Sequence, residues 1–154
     1  QPINPKEDTF IQGKYFQIAA DLYPDGGGKT SPSVTELSLI YNVEEPPLPP
    51  YRISATPGNG EVTINWSTVS AGYGNVREMG YYIYYGEKPG EYLGIIANQG
   101  TSPIFVNDGK TTFTVTGLEN GRIYYFAISA FPLDNPELQG ELSKEVFARP
   151  SSRL

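Results

Sequence analysis

The sequence predicts an all-β protein, and three observations carry that prediction. Its 12 Tyr, 17 Gly and 14 Pro fall as short Tyr-, Thr- and Val-rich runs cut by Gly and Pro, the composition of strands and turns. Thr112, Thr114 and Thr116 alternate with Phe113 and Val115, a period of two that marks extended chain. Beyond the turn pair Asn120-Gly121, Tyr124, Phe126, Ile128 and Ala130 line one face of a second strand.

The other elements follow in order. Residues 44–50, Glu-Glu-Pro-Pro-Leu-Pro-Pro, hold four prolines in five positions, which makes an extended, semi-rigid linker. Residues 51–55 read as the first strand and Pro57-Gly58-Asn59-Gly60 as a turn cluster. Val62, Ile64 and Trp66 alternate with Thr63 and Asn65, a half-buried strand ending on the only Trp. A polar loop over 67–80 leads to a strand over 81–85, stopped by Gly86. Lys88-Pro89-Gly90 turns the chain into a strand over 92–97, and Asn107-Asp108-Gly109 turns it into the strand of 112–118. After the strand of 124–130 and a loop over 132–140, residues 142–148 form the last strand, stopped by Pro150, with 151–154 as a tail.

Residues 1–43 form a different unit. Phe16, Ile18, Ala20 and Leu22 share one face, as do Leu37, Leu39, Tyr41 and Val43, with Pro24-Asp25-Gly26-Gly27-Gly28 between them. The expectation is a β-hairpin over 13–43 with one oily side. An isolated hairpin is marginal in water, so that side needs a cover: strands of an upstream sandwich, the following domain, or self-association with a second copy of the chain.

Seven strands over residues 51–148 have the number and size of an immunoglobulin-like sandwich. Residues 48–150 resemble a fibronectin type III domain of the bacterial variety. The resemblance is carried by Pro50, Val62-Thr63-Ile64-Asn65-Trp66, Gly80-Tyr81-Tyr82-Ile83-Tyr84-Tyr85, Leu118 through Ile128 and the ending Ser143 through Pro150. It implies that Tyr124 pins the corner after the turn with its hydroxyl. Gly13-Lys14-Tyr15-Phe16-Gln17-Ile18 with Ser31 through Tyr41 is similar to the closing strands of a discoidin-like or laminin-G-like sandwich. No Arg-Gly-Asp occurs, so integrin binding does not carry over.

Composition excludes several functions. The net charge of −6, from 11 Lys+Arg against 17 Asp+Glu, argues against nucleic acid and against an anionic membrane surface. No apolar run is long enough to insert into a membrane. With no His and no Cys, thiol and imidazole chemistry and disulfides are ruled out. The chain begins at Gln1 with no signal peptide, as expected of a processed chain or a segment of a longer one.

Candidate sites are few. The acid pairs Asp21/Asp25, Glu44/Glu45 and Asp134/Glu137 lie in loops and the linker, where carboxylates are solvated rather than held in a cleft for acid–base work. Asp21-Leu22-Tyr23-Pro24-Asp25-Gly26 lacks the alternation of a calcium loop. Gly26-Gly27-Gly28-Lys29-Thr30 lacks the phosphate-loop pattern. Neither a metal nor a cofactor is expected. The remaining candidate is aromatic: if Tyr81, Ile83 and Tyr85 face the core, Tyr82 and Tyr84 face outward, and Tyr125 and Phe131 on the neighbouring strand join them. Such a strip stabilises the sheet through cross-strand pairs or, if contiguous and exposed, marks a contact surface.

The expected function is a non-catalytic spacer and contact module of a secreted or cell-surface (or periplasmic) bacterial multidomain protein, with neighbouring domains or another protein as partner. The alternative is a carbohydrate-binding accessory region of an extracellular polysaccharide-acting enzyme.

Overall fold

A computed structural model describes residues 17–39, 44–69 and 77–152. The chain divides into two units, Gln1–Tyr41 and Asn42–Leu154.

The second unit is a sandwich of two antiparallel sheets built from seven strands: β1 (Ser54–Pro57), β2 (Glu61–Asn65), β3 (Met79–Gly86), β4 (Ile104–Val106), β5 (Thr112–Thr116), β6 (Tyr124–Pro132) and β7 (Val146–Ala148). The order is β1-β2-β5 in one sheet and β4-β3-β6-β7 in the other. Alternation decides the faces. Val62, Ile64 and Val115 turn inward from the first sheet, and Tyr81, Ile83, Tyr85, Phe126 and Ile128 from the second, all essentially inaccessible to solvent. On the outer face of the smaller sheet, Thr63 pairs with Thr56 and Thr114, and the hydroxyls of Thr63 and Thr114 lie 2.9 Å apart. Trp66 follows β2 directly and is 5% exposed. Its ring meets that of Tyr81 edge-on at 5.1 Å, joining the sheets through the middle of the core.

Tyr124 makes the expected corner. Its hydroxyl accepts the Glu119 backbone N–H at 3.1 Å, and burial pushes the phenol above its usual range, so it stays neutral and ordered. Tyr124→Phe is expected to cost about 0.5–1.5 kcal/mol, one ordinary hydrogen bond. The reading is a lower urea midpoint at unchanged slope.

Three expectations are corrected. Residues 92–97 form no strand; the fourth strand is Ile104–Val106, which pairs with Tyr81–Ile83. Aliphatic residues misled here, because the 92–97 segment wraps around Tyr85 instead of joining a sheet edge. Gly94 N–H donates to the Tyr85 carbonyl (2.8 Å). The Tyr85 hydroxyl accepts Ala97 N–H (3.1 Å) and donates to the Gly100 carbonyl (2.8 Å). Leu93 and Ile95 are left 80% and 73% exposed. The last strand is shorter than 142–148, since at Ile128 the Ser143 hydroxyl accepts the strand's N–H (3.0 Å) in place of a carbonyl. The first strand starts later than residue 51, its register being set by the Gly58–Gly60 turn. Within residues 44–50, Pro47 and Pro50 are buried, and Gly140 leaves space that a Cβ would deny to the Pro47 carbonyl.

In the first unit, the expected turn forms. Asp25 N–H donates to the Thr30 carbonyl at 3.0 Å, and the Asp25 carboxylate accepts Lys29 N–H, Thr30 N–H and the Thr30 hydroxyl. The hairpin arms do not follow: residues 17–24 and 31–39 carry no strand. Ile18, Leu37 and Leu39 are each half or more exposed, and with its oily side uncovered a two-stranded ladder is not stable. The expected strand residues 13–16 and 40–43 lie outside the described residues.

Candidate functional site

The outer face of the four-stranded sheet is set by the same alternation that fills the core. β3 turns Tyr82 and Tyr84 outward, and β6 turns Tyr125, Ala127, Ser129 and Phe131 outward. Register then fixes the neighbours: Gly80 opposite Phe131, Tyr82 opposite Ser129 and Phe105, Gly86 opposite Tyr125, and Tyr125 opposite Phe147.

Of the four expected residues, two meet. The rings of Tyr82 and Phe131 lie 4.5 Å apart, and Phe105 completes the group, 5.5 Å from Tyr82 and stacked on Phe131 at 5.2 Å. Phe131 is fully buried rather than exposed, because its ring lies over the bare backbone of Gly80 with Leu133 beside it. It is the floor of the cluster. Tyr84 pairs instead with Tyr92 at 6.0 Å, and Tyr125 with Phe147 at 6.0 Å. Gln139 crosses the middle, its Nε2 donating to the hydroxyls of Tyr84 and Ser129 at 2.7 Å each. The strip is therefore two aromatic clusters separated by a polar bridge.

The sequence reading missed the two most exposed rings on this face, Phe105 (49%) and Phe147 (67%). Phe105 was hidden because residues 104–106 were not recognised as a strand. Phe147 stands between Val146 and Ala148 on a strand that was recognised, so its parity was readable.

Polar contacts hold the rim. Glu145 on the β6–β7 connection accepts Gly90 N–H (2.7 Å) and the Tyr92 hydroxyl (2.8 Å). Burial, then the Glu145 carboxylate, push the Tyr92 phenol up to about 12. The neutral phenol is the form the fold favours, so its contribution is complete below pH 10 and lost as pH rises through about 12. A phenolate absorbance titration should show a late phase that Tyr92→Phe removes. At the other end Arg77 binds Asp134 at 2.8 Å and Glu44 at 3.5 Å, and its hydrogen bond holds the Asp134 carboxyl below its usual range. Arg122 forms ion pairs with Glu87 at 2.8 Å and Glu119 at 3.0 Å. The acids Glu44, Asp134 and Asp25 are thus committed to ion pairs or turns. Among the described residues, no group of three or more acidic side chains could hold a metal ion.

Comparison with known proteins agrees with this architecture. The family model for the fibronectin type III domain matches residues 48–143. The chain belongs to the fibronectin type III family. It is 34% identical over 119 residues to a Kelch domain-containing protein of Saccharolobus solfataricus, covering 76% of this chain and 14% of that protein. Contactin-3 of Rattus norvegicus is 26% identical over 84% of the chain and 12% of its own length. Amylopullulanase of Thermoanaerobacterium saccharolyticum is 28% identical over 84% of the chain and 9% of its own. The chain spans a small part, at most 14%, of the length of each of these relatives. A solved myokine structure, 15% identical, superposes with a TM-score of 0.50 over 68% of this chain and 98% of that one, which shows shared fold alone. The fibronectin type III domain is thus a module that recurs inside much longer proteins, one of them a polysaccharide-named enzyme. Among the described residues no helix is long and apolar enough to cross a membrane.

Proposed function

We propose that this fibronectin type III module is a non-catalytic spacer and contact element of a longer secreted or cell-surface bacterial protein, and that it meets a neighbouring domain through the outer face of its four-stranded sheet. The observation that carries this reading is the pair of exposed rings at its two edges, Phe105 and Phe147, backed by Tyr82 and Tyr125. Aromatic side chains supply large contact area at small entropic cost. A neighbouring domain is the favoured occupant because the Kelch domain-containing protein, contactin-3 and amylopullulanase are each many times longer than this chain. The first third is then the tail of the preceding domain, whose own strands cover Ile18, Leu37 and Leu39.

The test is Phe105→Ser with Phe147→Ser in the longer protein. Near-native thermal unfolding with loss of interdomain cross-links to this sheet supports the reading; unchanged cross-linking overturns it. A second reading, a polysaccharide accessory region, draws on the similarity to amylopullulanase and on Tyr82, Tyr84 and Tyr125 as sugar-stacking rings, with Phe131 buried beneath Tyr82. Retention on a polysaccharide gel, pullulan among those tried, abolished by Tyr82→Ser with Tyr84→Ser, would favour it over the first.

A further inference from the structure

Two Asn-Gly pairs occur in the sequence, Asn59-Gly60 and Asn120-Gly121, and the fold brings them together at one end of the sandwich. Asn-Gly is the dipeptide most open to hydrolytic deamidation, because glycine has no Cβ to obstruct the reaction. The glycine backbone nitrogen loses its proton and attacks the asparagine Cγ. A five-membered succinimide forms, ammonia leaves, and water opens the ring to aspartate or isoaspartate. The step needs a glycine nitrogen free of other partners and an asparagine side chain free to swing onto it.

Here neither condition is met at rest. Gly60 N–H donates to Asn120 Oδ1 at 2.8 Å, and Asn120 Nδ2 donates to Asn59 Oδ1 at 2.8 Å. Gly121 N–H donates to the Pro150 carbonyl at 2.8 Å. The amide orientations follow from donor chemistry: a backbone N–H can only donate, so Asn120 must turn its oxygen to Gly60 and its nitrogen to Asn59. Asn120 therefore holds both the attacking atom and the target side chain of the first pair. Through the same side-chain hydrogen bond Asn59 holds the Asn120 side chain, the target of the second pair, whose attacking nitrogen is bound by the backbone of a buried proline.

We propose that Asn59 and Asn120 are hydrolytic modification sites of this chain and that each is shielded by the other: Asn120 holds both the attacking nitrogen and the side chain of the Asn59 site, while Asn59 holds the side chain and Pro150 the attacking nitrogen of the Asn120 site. Conversion at either adds a negative charge to a chain already at −6, at the clasp that ties the β1–β2 turn to the β5–β6 turn.

Residue-resolved mass spectrometry of folded protein held at mildly alkaline pH tests this. Asn120→Ala should speed conversion of Asn59 about 25-fold, the factor that loss of two ordinary hydrogen bonds represents. Asn59→Ala, which removes one hydrogen bond from the Asn120 side chain, should speed conversion of Asn120 about fivefold. Asn120→Asp, which keeps an oxygen for Gly60 but loses the donor to Asn59, should speed conversion of Asn59 about fivefold, less than Asn120→Ala does. An Asn59 rate unmoved by Asn120→Ala in a folded variant overturns the proposal. Should Asn120→Ala not fold, the other two variants decide it: an unmoved Asn120 rate in Asn59→Ala, or an unmoved Asn59 rate in Asn120→Asp, overturns it, and acceleration in both supports it.

Discussion

Trp66→Ala is expected to lower the free energy of unfolding by about 3–5 kcal/mol, a large share of the roughly 5–15 kcal/mol that holds a domain folded. The indole is 5% exposed and belongs to the same buried cluster as Val62, Ile64, Ile83 and Phe126. Removing it opens a cavity between two hydrogen-bonded sheets, which cannot close without shifting whole strands, so transfer and cavity costs add. It also deletes the edge-on contact with Tyr81. Denaturant unfolding followed by circular dichroism reads the loss. Tyr23→Ala, at a position 77% exposed in the first unit, is the control and should stay within about 0.5 kcal/mol of the parent.

Gly80→Ala should cost about 1–3 kcal/mol, the range for overpacking. A methyl group at this position would run into the ring of Phe131 and crowd Leu133. Phe131 cannot simply move aside, because it is fully buried and stacked on Phe105 and Tyr82. The strands β3 and β6 pair along eight positions there, so the backbone cannot yield locally either. Lost stability should come with a less ordered Phe131, read as averaged ring signals in NMR. A neutral Gly80→Ala would mean that the aromatic floor is loose.

The core of the sandwich was legible because a period of two combined with turn residues fixes which side chains are inside. Val62, Ile64, Trp66, Tyr81, Ile83, Tyr85, Tyr124, Phe126 and Ile128 were all placed inward by alternation, and all are buried. The corner hydroxyl of Tyr124 was legible for the same reason: a turn pair stands immediately before its strand. What alternation does not encode is how a chain leaves a sheet. Residues 92–97 are as β-prone as any strand here, yet their backbone groups are satisfied by Tyr85, a partner fixed only by tertiary packing. The three residues of β4 are too few to show a period. The outward aromatics were found by parity, but parity cannot tell an exposed ring from one lying on a glycine. That is why Phe131 was expected at the surface and is found under it. In the first third the expected turn forms and residues 17–24 and 31–39 carry no strand; the surface that would stabilise a ladder there is not supplied by the described residues of its own unit.

The claim on which the functional account rests is that the outer sheet face is covered in the working protein. Hydroxyl-radical footprinting of this chain alone and of the longer protein that contains it measures this directly. The account predicts strong labelling of Phe105 and Phe147 in the isolated chain and protection of both in the longer protein, with Tyr51, 57% exposed and away from this sheet, labelled equally in the two. Equal labelling of Phe105 and Phe147 in both would contradict it.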